Sequence, residues 1–207
     1  MVIAVGFNRQ QRENIHSLGV NVTMSLASGS DPLAQWMLGA REESIARCQI
    51  DHLVATGHRH IGYARPLDSR IAEASALRLR ALSHACASYG LDEPVALQVQ
   101  PAFAADAIAG WTSRASPVTA VCANDETSAL AVLSGLRAHG LSAPKDMAVI
   151  GVGDSLMAAL ADPPLTTVAI DWIATADYTV ETVMSAIEGR QAADSPDVAT
   201  LVLRSSV

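Results

Sequence analysis

Residues Asp146–Val168 read DMAVIGVGDSLMAALADPPLTTV, and this stretch decides the fold class. Met147 to Val152 is an apolar run of the length and composition of a buried strand, and it ends in Gly151-Val152-Gly153-Asp154. About ten residues later comes Pro163-Pro164-Leu165-Thr166-Thr167-Val168, which reads as a further strand. A buried strand that stops in a glycine-rich turn delivers its last side chains to the carboxyl edge of a parallel sheet. In open α/β sheets small ligands bind at that edge.

The same grammar extends along the chain. Apolar runs at Val2–Gly6, Val20–Leu26, His60–Ala64, Val95–Val99, Val118–Ala123, Ala148–Val152 and Val198–Leu203 predict strands. Helical spacing predicts helices over Gln10–Leu18, Glu42–Thr56, Leu77–Tyr89, Ala105–Thr112, Asp125–His139 and Ile173–Ile187. Five of these helices stop at a glycine, namely Gly19, Gly57, Gly90, Gly140 and Gly189, as left-handed C-terminal caps require. Ser28–Ala40 reads as a loop because Gly29-Ser30-Asp31-Pro32 is turn chemistry. Strands alternating with helices of 10–15 residues predict βαβ units, a parallel sheet and helices on both of its faces.

Composition narrows the function. The chain has 207 residues, half of them apolar, with a formal net charge of −7. That balance argues against direct grip on a nucleic-acid backbone, which needs clustered Lys and Arg. No apolar run reaches the roughly 18–20 residues needed to span a bilayer. Cys48, Cys86 and Cys122 are far apart and lie in apolar patterns, so buried free thiols in a reducing compartment are expected. Asn21-Val22-Thr23 fits a glycosylation sequon by chance.

The candidate motifs point to binding more than to catalysis. Gly151-Val152-Gly153 lacks the third glycine of a dinucleotide fingerprint, and GxxxxGK[ST], GxSxG and HExxH do not occur. His58 and His60 face the same way on an extended segment, but no nearby carboxylate or cysteine completes a metal shell. Neither a metal nor a cofactor is expected. Asp125 is placed to cap a helix, while Asn124, at a strand's carboxyl end, offers a donor and an acceptor to a hydroxylated ligand. Arg78 lies on an alanine- and leucine-rich helix that reads as a solvated face. With Arg70 in the preceding Leu67-Asp68-Ser69-Arg70 loop, it would alternatively clamp a carboxylate or diol.

Taken in order and spacing, several segments resemble the lactose/galactose-repressor family of bacterial transcription regulators. They are HLVATGHRHI (52–61), RLRA (78–81), VCANDE (121–126), LRAHGLSAPKD (136–146), VIG (149–151) and PPLTTV (163–168). The resemblance implies a periplasmic-binding-protein-like α/β fold of two doubly wound parallel-sheet lobes that close on a small sugar or sugar derivative. Residues 1–40 with 172–197 would form the N-terminal lobe, and 41–171 with 198–207 the C-terminal lobe. The match begins near the third strand of the first lobe. The first lobe is therefore expected to be incomplete, and the helix-turn-helix headpiece that would contact operator DNA to be absent.

Carried over by position, the resemblance makes Arg78 an effector-binding arginine, Asn124 the polar residue of the AND motif, and Phe103 and Trp172 aromatic walls. Asp154 is the acid that remains where the family usually has two, because Gly153 stands in place of the first. Ala81 stands where glycine is usual. The GxGD form, the LDSR loop and Leu33-Ala34-Gln35-Trp36-Met37 are similar to the gluconate-repressor branch. Losing an acid while gaining Arg70 suits an anionic ligand. The resemblance thus implies a cytoplasmic, homodimeric, non-enzymatic effector sensor, most simply a repressor. A solute-binding receptor for sugar transport is the competing expectation on the same fold, and an enzyme the third.

Overall fold

The computed structural model describes residues 2–4, 14, 17, 23–25, 32–191 and 193–207. The predicted helix over Gln10–Leu18 therefore lies largely outside the described residues, although Asn14 and Ser17 are helical. Strands β1 (Val2–Ala4) and β2 (Thr23–Ser25) pair in parallel, with Ile3 opposite Met24.

Six strands form the larger sheet: β3 (Ile61–Arg65), β4 (Val95–Gln98), β5 (Ala120–Ala123), β6 (Ala148–Val152), β7 (Thr166–Ile170) and β8 (Ala199–Val202). Their spatial order is β4-β3-β5-β6-β7-β8. All neighbours are parallel except β7 and β8, where Val168 faces Leu201 in antiparallel register. The expected parallel sheet is observed, with one antiparallel strand at this edge. Alternation and apolarity report that a segment is a strand but carry no information about its direction, and an antiparallel edge on a parallel sheet is common.

Helices cover both faces. On one side lie α1 (Pro32–Ala55) and α2 (Ala72–Ser88). They pack Ile45, Ile50, Leu53 and Leu82 against Ile61, Tyr63, Cys122 and Ile150. On the other side lie α3 (Ala104–Thr112) and α4 (Glu126–Ala138), which bring Ile108, Trp111, Val132 and Leu136 onto Val121 and Val149. Trp111 is fully buried and donates its indole N–H to the Val95 carbonyl at 2.8 Å. The two helices of this layer touch closely at Gly135, where a Cβ would stand 2.7 Å from the Ala104 carbonyl oxygen.

α1 begins at Pro32, so the expected loop over 28–40 is wrong from residue 32 onward. Proline belongs naturally at the first helical position, where its missing N–H costs nothing. After it, only Gly39 disfavours a helix, and its flank is open space. The turn residues thus mark the helix start, not an extended loop. α5 (Leu156–Leu160), which the spacing does not predict, is a short helix whose cap Ser155 accepts from the Met157 N–H at 3.2 Å. α6 (Trp172–Glu188) follows β7, with Val183 buried and Ile173, Val180 and Ile187 exposed.

Candidate functional site

The order β4-β3-β5 contains a reversal. From β3 the chain passes through α2 to β4 on one side, then returns through α3 to β5 on the other. In open α/β sheets ligands bind where the winding reverses, which here is beyond the carboxyl ends of β3 and β5. At that point the Asn124 N–H donates to the Ala64 carbonyl at 3.1 Å.

Several polar side chains converge there. Arg78, on the second turn of α2, is buried, which excludes the solvated-face reading. Its Nε donates to Glu42 Oε2, and its Nη1 reaches the Asn124 carbonyl at 3.4 Å. The other Glu42 oxygen accepts from Arg41 Nε and Nη2 at 3.1 and 2.8 Å. Burial alone would raise the Glu42 carboxyl, but the flanking Arg78 and Arg41 guanidiniums more than offset that and hold it below the usual carboxylate range. Tyr63, on β3, donates its hydroxyl to Asn124 Oδ1 at 2.7 Å and shares a hydrogen bond with Ser75 Oγ at 2.9 Å. Burial pushes the Tyr63 phenol up to about 12, so it stays protonated and able to donate.

These contacts set what the crevice offers a ligand. Asn124 Nδ2 donates to Asp125 Oδ2 at 3.0 Å, and Asp125 Oδ1 caps α4 by accepting from the Ser128 N–H at 2.7 Å. Asn124 is thereby fixed in orientation while keeping one amide hydrogen and one oxygen lone pair for a partner. A preoriented amide beside a buried guanidinium suits vicinal hydroxyls or an oxyanion.

The structure brings Arg78 and Asn124 together and spreads the other sequence-predicted site residues around them. Phe103 ends the 3₁₀ turn Pro101–Phe103 after β4, two strands from Asn124, and is exposed. It borders a cavity of about 370 Å³ with Leu67, Leu97, Gln98 and Gln100. Trp172 opens α6 with its ring 5.9 Å from the Arg41 guanidinium, a cation–π arrangement tying the β7–α6 junction to the Glu42 cluster. Asp154 pairs with Arg204, which also donates to the Leu165 carbonyl at 2.9 Å. Arg70 lies on the 3₁₀ turn Ser69–Ile71, and its side chain is outside the description.

At Gly153 the structure supplies a detail that spacing cannot. A Cβ there would meet Glu126 Cδ at 2.9 Å, and the residue has φ of +120°. The Glu126 carboxylate accepts from the Ser155 N–H at 2.7 Å and from its hydroxyl. The acid missing at position 153 is thus balanced by one from α4, so the absence there does not leave this wall without a carboxylate.

Glu42, Arg41 and Tyr63 were not singled out from sequence. Glu42 carries a readable signal, because it falls on the buried stripe Glu42, Ile45, Ala46, Gln49, Ile50, Leu53 of α1. An acid on an apolar stripe demands a partner. Gln49, on the same stripe, donates to the Ala123 carbonyl at 3.2 Å and braces the end of β5. Of the two histidines His58 and His60, His58 Nδ1 is hydrogen-bonded to Thr119 Oγ1 at 3.0 Å. Among the described residues, no group of His, Cys, Asp and Glu side chains could hold a metal ion. Cys48, Cys86 and Cys122 are free thiols, and burial pushes the first two up to about 11. No described helix is long and apolar enough to cross a membrane.

With this geometry in view, the relatives can be placed. Residues 50–207 match the periplasmic binding protein-like domain, and the chain belongs to that family. It is 34% identical over 146 residues to the HTH-type transcriptional regulator CelR of Thermobifida fusca, covering 63% of this chain and 42% of CelR. It is 45% identical over 65 residues to the HTH-type transcriptional repressor PurR of Vibrio vulnificus, covering 31% of this chain and 19% of PurR. The chain thus spans less than half the length of these relatives. Among solved structures, a LacI transcriptional regulator from a Rhodococcus species superposes with a TM-score of 0.71 at 22% identity, covering 99% of this chain and 76% of that one. A LacI family regulator from Bifidobacterium animalis subsp. lactis gives 0.70 at 20%, again over 99% and 76%. At these identities the likeness concerns the fold: mixed α/β with a mostly parallel sheet.

Proposed function

We propose that this chain is the effector-sensing part of a bacterial transcription regulator, in the simplest case a repressor, and that it binds a small sugar or sugar acid. The observation that carries the reading is the convergence of Arg78 and Asn124 at the switch point, with both side chains held by buried partners. Residues 1–40 with 172–197 form one lobe and 41–171 with 198–207 the other, α1 running unbroken across the boundary at residue 40. Phe103 and Trp172 offer apolar faces for sugar C–H groups, and Arg70 and Asp154 lie on the flanking loops. Effector binding shifts an equilibrium between open and closed lobes, and operator DNA is contacted by a helix-turn-helix segment and not by these residues. The proposed role is binding without turnover, in the cytoplasm.

A homodimer accompanies this reading. It is supported by the exposed apolar side chains of Leu156, Met157 and Leu160 on α5, a patch that a second copy would cover. The reading is tested by calorimetric titration with a panel of neutral sugars and sugar acids. Saturable heat with at least one member is expected, and no heat with any member contradicts it. For a longer chain carrying the headpiece, the same ligand is expected to change operator affinity in a mobility-shift assay.

A further inference from the structure

We propose that Arg65 is a second cation of the switch-point crevice and pairs with an anionic group, a carboxylate or a phosphate, on the polyhydroxylated effector. This rests on the effector reading above and adds to it the ligand's charge and the residue that reads it.

Arg65 is the last residue of β3, immediately after Ala64, whose carbonyl receives the Asn124 N–H. Strand alternation places it on the face that carries Ile61 and Tyr63, packed against α1 and α2. Arg78 belongs to the same layer. Two residues along a strand span about 7 Å, so the Arg65 position is one step outward from the Tyr63–Asn124 hydrogen bond.

The other guanidiniums nearby are already matched. Arg78 and Arg41 share Glu42, and Arg204 holds Asp154. Arg65 differs: its Nε is buried and finds no hydrogen-bond partner among the described residues, while the residue as a whole stays partly exposed. An N–H withdrawn from water and left unmatched is unfavourable, and a bound oxyanion supplies the acceptors that the protein does not. A guanidinium fork takes a carboxylate or phosphate through two parallel hydrogen bonds.

The test is calorimetry on the 207-residue chain and its Arg65→Gln variant with D-gluconate, D-glucuronate, D-glucose 6-phosphate and D-glucose. At least one anionic member is expected to bind the wild type, and the responding member identifies the anion as carboxylate or phosphate. R65Q is expected to weaken that ligand about tenfold or more, the scale of a lost charge-assisted hydrogen bond, and to leave any neutral-sugar binding unchanged. Circular dichroism establishes that R65Q is folded. Arg65→Met, which keeps the apolar stem, serves in its place should R65Q not fold. Equal affinity of wild type and variant for the anionic ligand overturns the proposal. Binding of D-glucose alone overturns it while leaving the effector reading intact, and no binding by any member overturns both.

Discussion

Glu42 and Arg78 form an ion pair almost wholly withdrawn from water, at 2% and 5% exposure, joining α1 to α2 at the mouth of the sheet crevice. Arg41 closes on the free oxygen of the same carboxylate, so one acid serves two guanidiniums. Glu42 thus fixes Arg78 beside Asn124. Removing Glu42 leaves the Arg78 guanidinium buried without its carboxylate, at a cost of about 3–5 kcal/mol, whereas removing Arg78 leaves Glu42 still paired with Arg41. Glu42→Ala is expected to lower the unfolding free energy from denaturant titration by that scale, and Arg78→Ala by less, because Arg41 still pairs with Glu42. The double variant E42L/R78M is expected to be destabilised by much less than the sum of the two. Additive losses in guanidinium unfolding would show that the pair is not coupled.

Acid stability follows from the same carboxylate. In the folded chain Glu42 titrates below its ordinary value of 4.5. A depressed carboxyl contributes stability that is fully present above its unfolded value and is lost as pH falls through its folded value. Stability measured by denaturant titration is therefore expected to drop progressively below about pH 4.5. In E42Q the corresponding slope is expected to be shallower, because one carboxylate no longer takes up a proton on unfolding. Identical slopes would contradict the assignment.

Asn124 separates binding from folding. Asn124→Ala removes the acceptor of the Tyr63 hydroxyl, but Tyr63 keeps Ser75, so the stability loss is expected to be about 1 kcal/mol. The affinity for whichever sugar the wild type binds is expected to fall about tenfold or more, because the preoriented amide is gone. Calorimetry and thermal melting on one preparation distinguish the two effects. An unchanged affinity would remove Asn124 from the site.

Gly153 is held by both conformation and space. Gly153→Ala must adopt φ of +120° and push its Cβ against the Glu126 carboxyl. The expected loss is about 2 kcal/mol. The double variant E126A/G153A relieves the contact but not the backbone strain, so partial recovery in thermal melting is expected. Full recovery would locate the whole penalty at Glu126.

Much of the architecture was legible from periodicity alone. Glycine stops marked helix ends at Gly57, Gly90 and Gly140, and the apolar run Ala148–Val152 became β6 with the same bounds. Periodicity failed where its signal is silent or shared. Gly29 to Pro32 announce a turn and a helix start in the same letters, so the first turns of α1 read as loop. The direction of β8 is set by the path the chain takes through α6, not by its own residues. At the candidate site, Asn124 is legible from its place at the carboxyl end of a strand and Arg78 from the family resemblance, and the structure brings the two together. Glu42 and Tyr63 were missed because Glu42 lies in the charged stretch Arg41-Glu42-Glu43, Tyr63 lies in an apolar strand, and they act through partners 36 and 61 residues away. The empty place read at Gly153 is a tertiary matter too, since the compensating carboxylate comes from α4.

The most direct measurement of the central claim is a crystal structure of the chain soaked with the sugar or sugar acid that gives the largest calorimetric response. Ligand density is expected beyond the carboxyl ends of β3 and β5, within hydrogen-bond distance of both Arg78 and Asn124. Density confined to another surface, such as the depression between α1 and α2 bordered by Arg47, Asp51 and His84, with Arg78 and Asn124 untouched, would contradict it.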